Sequence, residues 1–183
     1  MSSDIINAIK IIKNLTYLEL GVDDNCNFEK ILCDEKMSVD INGKGLFTGT
    51  TDEYFNKHKE KFDIIYIDAN HDLDFVVRDF NNSVDRANHW VLIHDMIPPS
   101  KKYTKSFKCS NSYLLLYHLV TKTNNTVYAM NDDFGLTFIK MPAVKVDIAQ
   151  VETVPYNEFM NYIQKIKLYS RAEIIQMLRK NNV

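Results

Sequence analysis

Two segments, FDIIYID (62–68) and HWVLIHD (89–95), are nearly unbroken in hydrophobicity, and each ends in aspartate. A strand apolar at successive positions is buried on both faces, which in practice means a parallel sheet with helices on either side. Between them LDFVVRDFNNSVDRA puts Phe75, Val76, Phe80 and Val84 near one helical face, as a crossover requires. The same alternation runs along the chain. Ile5 to Ile12 has helical spacing, TYLELGV is a strand, NFEKILC a short helix beginning near Asn27, KMSVDI a second strand and GLFTG a third. Thr50 and Glu53 have capping-box spacing and start a helix through DEYFNKHKEK. Beyond HWVLIHD, which Pro98 and Pro99 stop, come a polar loop, the helix SYLLLYHLV, and the strands TVYAM and GLTFIKM, close enough for an antiparallel pair. Two terminal helices follow, the second with Ser170 as N-cap and Glu173 three residues on. Residues 1–183 suit one domain, with its core in 1–141 and a helical extension in 142–183. The link INGK after Asp40 is too short for a helical crossover, so GLFTG is a stub or an abbreviated edge.

Charge narrows the partners. With 22 basic and 24 acidic side chains spread along the chain, the net charge is −2, which offers no broad basic field to nucleic acid or an anionic membrane. Lys101, Lys102, Lys105 and Lys108 form the one basic cluster. No apolar run approaches the roughly 20 residues of a membrane span, and the N-terminus does not read as a signal peptide. Cys26, Cys33 and Cys109 lack C-x-x-C spacing and read as free thiols, so a cytoplasmic location is expected.

In doubly wound sheets ligands bind beyond the carboxyl ends of the strands. Acidic side chains stand at four of them: Glu19 with Gly21, then Asp40, Asp68 and Asp95. Asp40 follows Gly21 by about 20 residues, the spacing at which a carboxylate accepts hydrogen bonds from a ribose diol. A nicotinamide dinucleotide needs G-x-G-x-x-G, and only Gly21 is present, which disfavours an NAD-dependent oxidoreductase. Asp23 and Asp24 would repel its phosphates as well. A cationic, phosphate-free adenosine ligand matches better.

YLELGVDDNCNFEKI, VDI, TGTTDEYF, KFDIIYIDANH and VLIHDMIPP, in this order, resemble the class I S-adenosylmethionine-dependent methyltransferases. The resemblance is to small bacterial and phage-encoded members with I-D-x-x-H and H-D-x-x-P-P at the fourth and fifth strand ends, and covers Tyr17 to about Met141 as an element order. It implies a Rossmann-like α/β three-layer sandwich, a six- or seven-stranded, mainly parallel sheet with the last strand antiparallel. It further implies that Glu19 and Gly21 shape the methionine side of the pocket, with Val22, Asn25, Asn27 and Phe28 in the loop above. Asp40 would hold the ribose, Ile41 would lie against the adenine with Thr51 and Asp52 at its edge, and Asp68 with Ala69 would face the aminoacyl part or the reacting centre. Asn25 stands where many relatives have a second glycine; asparagine tolerates the left-handed conformation.

A hydroxyl acceptor must lose a proton, and His71, three residues after Asp68, suits that role, with His94 beside Asp95 as a second candidate. His71, Asp68 and Asp95 are therefore the expected catalytic group. Asp68, His94 and Asp95 would be ligands if a divalent metal is used; the histidine disfavours magnesium. The expected activity is O-methylation of a small molecule or carbohydrate. The alternatives are a methyltransferase-like binding or scaffold domain, and another reaction that consumes S-adenosylmethionine. The loop PPSKKYTKSFKCSNS could close over the acceptor. The terminal helices, with Phe159, Ile163 and Ile166 on one and Ile174, Ile175 and Leu178 on the other, either cover the sheet or pair with a second subunit in a homodimer.

Overall fold

The computed structural model describes residues 2–9, 15–24, 26–33, 35–132 and 134–180. Its strands are β1 (Thr16–Leu20), β2 (Glu35–Asp40), β3 (Phe47–Thr48), β4 (Phe62–Ile67), β5 (Ala87–Ile93), β6 (Val127–Met130) and β7 (Leu136–Lys140). The helices are α1 (Ser2–Ile9), α2 (Thr51–Lys57), α3 (Leu73–Val84), α4 (Tyr113–Lys122), α5 (Tyr156–Ile163) and α6 (Arg171–Lys180). The strands form one seven-stranded sheet in the order β3-β2-β1-β4-β5-β7-β6. β7 runs antiparallel to both its neighbours, while β3, β2, β1, β4 and β5 pair in parallel. This is the expected Rossmann-like α/β sandwich, with all seven strands present.

Successive strand residues feed opposite layers. Leu18, Leu20, Ile65, Ile67, Val91 and Ile93 pack under α2, α3, α4 and α5. Tyr17, Ile64, Tyr66, Trp90 and Leu92 face the other way, against Ile5 and Ile6 of α1, Phe28 and Ile31, and Ile174 and Leu178 of α6. The terminal helices thus cover opposite faces of this chain's own sheet. Their fully buried residues, Phe159, Ile163, Ile174 and Leu178, are used there, so the apolar stripes give no argument for a second subunit. Both capping boxes form. Thr50 Oγ1 accepts from the Glu53 amide at 3.2 Å and Glu53 Oε2 accepts from the Thr50 amide at 2.8 Å; Ser170 and Glu173 repeat the exchange at α6.

Several elements differ from the pattern in the sequence. NFEKILC is only a 3-10 turn, Phe28–Lys30. Lys36 Nζ donates to the carbonyls of Phe28 (2.9 Å) and Ile31 (3.1 Å), taking up acceptors that a longer helix would use internally. GLFTG does pair in parallel with β2, through only two residues, Val39↔Phe47 and Asp40↔Thr48. So short a pairing needs no helix: the chain doubles back beside β2, and a Cβ on Gly45 would come within 2.8 Å of the Asp40 nitrogen. On α3 the buried face is Val76, Val77, Phe80 and Ser83, while Phe75 is 41 % exposed and meets Arg78 instead. α1 begins earlier than Ile5, and residues 10–12 of the expected helix lie outside the described residues. β5 ends at Ile93, well before the prolines, because the backbone turns left-handed at Asp95 (φ 58°).

Candidate functional site

β1 is followed by β2 on one side of it, and β4 adds on the other side, so the strand order reverses between β1 and β4. A crevice opens at such a reversal. Gly21 sits there with φ 82°, and a Cβ on it would come within 2.4 Å of the Asp68 carbonyl oxygen and 2.6 Å of the Ala69 Cα. Glycine is therefore required twice, by conformation and by close approach. Backbone bonds lock the seam: Gly21 N–H donates to Val39 O and Asp68 N–H to Leu20 O, both at 2.8 Å.

At the end of β2 the Asp40 carboxylate is buried and held by main chain. Oδ1 accepts from Asn42 N–H at 2.7 Å, and Oδ2 takes longer contacts from Val22 N–H (3.3 Å) and Asp23 N–H (3.4 Å). The two loops that flank it are tied by Lys44 to Asp23 at 3.0 Å. Contacts beyond 3.2 Å are weak, so Oδ2 is the oxygen with capacity for another donor. Ile41, next along, is 66 % exposed.

Glu19 points to the α1/α6 face beside Tyr17, beneath the loop. It accepts from Tyr17 OH (2.6 Å) and Asn27 Nδ2 (3.1 Å) and is fully buried. Burial raises its carboxyl to about 7, against the lowering effect of those two bonds. Tyr17 in turn stacks on Phe28. Asn25 lies outside the described residues. The side chains of Thr51 and Asp52 are engaged by α3. Thr51 Oγ1 donates to Asp79 of α3, and Asp52 pairs with Arg78 at 2.9 Å, because α2 packs directly on α3.

Beyond β4 and β5 four side chains converge. His71 Nε2 is 3.4 Å from Asp68 Oδ1 and 3.9 Å from Asp95 Oδ2. His94 Nδ1 is 3.4 Å from Asp68 Oδ1 and 3.2 Å from Asp95 Oδ1. Burial alone would raise the Asp68 carboxyl, but the two histidines outweigh it and hold it well below the ordinary carboxylate range. Tyr66 donates to Asp68 Oδ2 at 3.2 Å from two residues upstream on the same face of β4. Ser112 fixes the left-handed Asp95 by donating to its carbonyl at 2.8 Å.

His71 Nδ1 lies 3.3 Å from the carbonyl oxygen of Phe107. A carbonyl can only accept, so the contact favours a proton on Nδ1 and turns Nε2 toward the two carboxylates. That arrangement suits a base whose conjugate acid is then stabilised by Asp68 and Asp95. It also suits a shared cation. The atoms that lie within 4.8 Å of one another are from Asp68, His71 and Asp95, with His71 in the place expected of His94. Tyr66, Ser112, Asn42, Lys44 and Phe107 were not legible as site residues; only Tyr66, two positions before Asp68, carries a strand-periodicity signal.

No protein-family model and no curated sequence matches this chain. Among solved structures it is similar to cofactor-bound Rv0187 from MTB, with TM-score 0.60 and 10 % identity over 78 % of this chain and 79 % of that one. It is also similar to the O-methyltransferase TomG of Streptomyces achromogenes, solved with S-adenosylmethionine, at TM-score 0.57 and 10 % identity over 77 % and 79 %. Spermidine synthase of Thermotoga maritima aligns at TM-score 0.56 and 14 % identity over 100 % of this chain and 74 % of its own. Identities this low establish a shared fold.

Proposed function

We propose that this chain is an S-adenosylmethionine-dependent methyltransferase that acts at oxygen on a small-molecule acceptor. The observation that carries the reading is the placement of Asp40, Gly21 and Asp68 on three adjacent strands at the order reversal, with a histidine cluster immediately beyond. When bound, S-adenosylmethionine supplies the methyl group and leaves as S-adenosylhomocysteine. Asp40 Oδ2 accepts from the ribose hydroxyls, and exposed Ile41 covers the adenine. Val22 and Asn27, with Phe28 beneath, shape the loop above Gly21, and Asn25, between them in sequence, is assigned to the same ligand. Ala69 and Asp68 border the methionine end. His71 Nε2 takes the acceptor's hydroxyl proton, and Asp68 and Asp95 stabilise the imidazolium that results.

Two carboxylates and an imidazole fit a manganese- or iron-type ion better than magnesium. Such an ion would be held by Asp68, His71 and Asp95 and would supply Lewis-acid polarisation of the acceptor oxygen in place of His71 acting as base, with His94 supporting both carboxylates. A different group transfer from the same class of cofactor is a second reading, favoured by the spermidine synthase alignment, which runs through α5 and α6 as well as the sheet.

Calorimetry with S-adenosylhomocysteine, then mass spectrometry of acceptor products, tests the proposal. Binding together with a product heavier by one methyl group is the expected result. Absence of binding ends the reading, and a different mass increment selects the second one.

A further inference from the structure

The segment Lys101–Cys109, between β5 and α4, contains four lysines and no acidic residue. All four lysines are exposed, and among the described residues none of them makes an ion pair. Lys102 and Lys108 instead lie over aromatic rings, those of Tyr103 and Phe134, at 5.0 and 5.1 Å. Elsewhere some exposed lysines find carboxylates, as Lys122 does with Glu152 and Lys145 with Asp85, and others, such as Lys57 and Lys61, make no ion pair among the described residues; what sets this segment apart is four lysines within eight residues. The segment is nevertheless fixed against the site. The Phe107 carbonyl touches His71, Asn111 Oδ1 accepts from the Leu73 amide at the start of α3, Ser110 donates to Asp72, and Tyr103 packs on Phe134 of the β6–β7 turn at 5.2 Å.

Phe107 itself is 88 % exposed, although its backbone is anchored at the reacting histidine. An aromatic ring held in solvent, on the residue whose carbonyl touches His71, is an unsatisfied stacking surface. Lys105 and Lys108 flank it in sequence, with Cα atoms within about 8 Å of its own, and ammonium groups on flexible stems can reach a ligand lying on the ring. Beneath, Asp68 and Asp95 supply negative charge, which would repel an anionic group unless it is held outward.

Resting on the methyltransferase reading above, we infer that the acceptor is an aromatic hydroxyl compound carrying an anionic group. Its ring stacks on Phe107, its anionic group is held by Lys105 and Lys108, and its hydroxyl is directed inward to His71. A neutral carbohydrate is disfavoured, because it gains nothing from the lysines. Four lysines make too small a field for a nucleic acid backbone, which needs many phosphate contacts for tight binding.

The test is calorimetric titration of the full chain, saturated with S-adenosylhomocysteine, with 3,4-dihydroxybenzoate and with its neutral methyl ester. The acid should bind about tenfold more tightly than the ester at low salt, the effect of one well-placed charge contact. The K105Q/K108Q double variant should lose that preference, and F107A should weaken acid and ester alike. Equal affinity for the two probes, a preference that survives in K105Q/K108Q, binding of neither probe, or tighter binding of a single-stranded oligonucleotide would each overturn the inference. Because S-adenosylhomocysteine binding is measured first, loss of the probe alone leaves the methyltransferase reading standing, and loss of S-adenosylhomocysteine binding removes that reading instead.

Discussion

The ends of β1 and β2 and the ends of β4 and β5 lie side by side on one edge of the sheet, yet they are built differently. At the first, Asp40 is held almost wholly by main-chain amides, from Val22, Asp23 and Asn42. At the second, Asp68, His71, His94 and Asp95 hold one another through side chains at 3.2 to 3.9 Å. Backbone scaffolding fixes a position without adding charge, which suits recognition of a cofactor that is the same in every turnover. A lattice of titratable side chains can exchange protons and still keep its shape, which suits the place where bonds change.

Substitutions can separate the two regions. The largest effect is expected at the reacting end: His71→Ala should lower turnover by about 10²–10⁴-fold with S-adenosylhomocysteine affinity unchanged in calorimetry. Unchanged turnover would remove His71 as the base. Gly21→Ala should break the division itself, since a methyl there strikes the Asp68 carbonyl from the other half. A positive φ and overpacking together should cost about 2–4 kcal/mol in urea unfolding, with cofactor binding and turnover both reduced.

Glu19 lies beneath both regions. Its folded-state carboxyl, at about 7, stands above the unfolded value of 4.5, so the folded chain binds the extra proton between those limits. Its contribution is complete below pH 4.5 and is lost as pH rises through 7. At about 1.4 kcal/mol per unit, stability should fall by up to roughly 3 kcal/mol across that window, and Glu19→Gln should flatten the profile in denaturant titrations at several pH values. Asp40→Asn should have the smallest effect and stay confined to the cofactor end. S-adenosylhomocysteine should bind about 10–100-fold more weakly, as expected when a charged acceptor becomes neutral, while turnover at saturating cofactor is preserved. An Asp40→Asn protein that binds normally would mean the carboxylate only pins the loops.

Features that depend on near neighbours in the chain were legible without the structure. The two capping boxes join residues three apart, and the aspartates beyond β4 and β5 follow apolar runs that cannot be mistaken. Features set by distant partners were not. Thr51 and Asp52 face α3 because Asp79 and Arg78 happen to lie across from them, and Phe75 is displaced from the buried face by the way α3 settles on the sheet. The short parallel pairing of β3 needed a doubled-back loop, with Gly45 pressed on β2, that no length rule describes. Gly21 could be read as a turn residue, but its contact with Asp68 and Ala69 could not.

That contact has a consequence for how such a chain can change over time. With no side chain between Gly21 and the Asp68–Ala69 backbone, the end of β1–β2 and the end of β4–β5 are registered like two parts on a common dowel, by covalent main-chain dimensions and not by rotamers. The segment from Lys101 to Cys109 lies outside that joint. On the proposed reading its residues can be exchanged to suit a new acceptor without recalibrating the donor, so drift in substrate preference should collect there while the joint stays fixed.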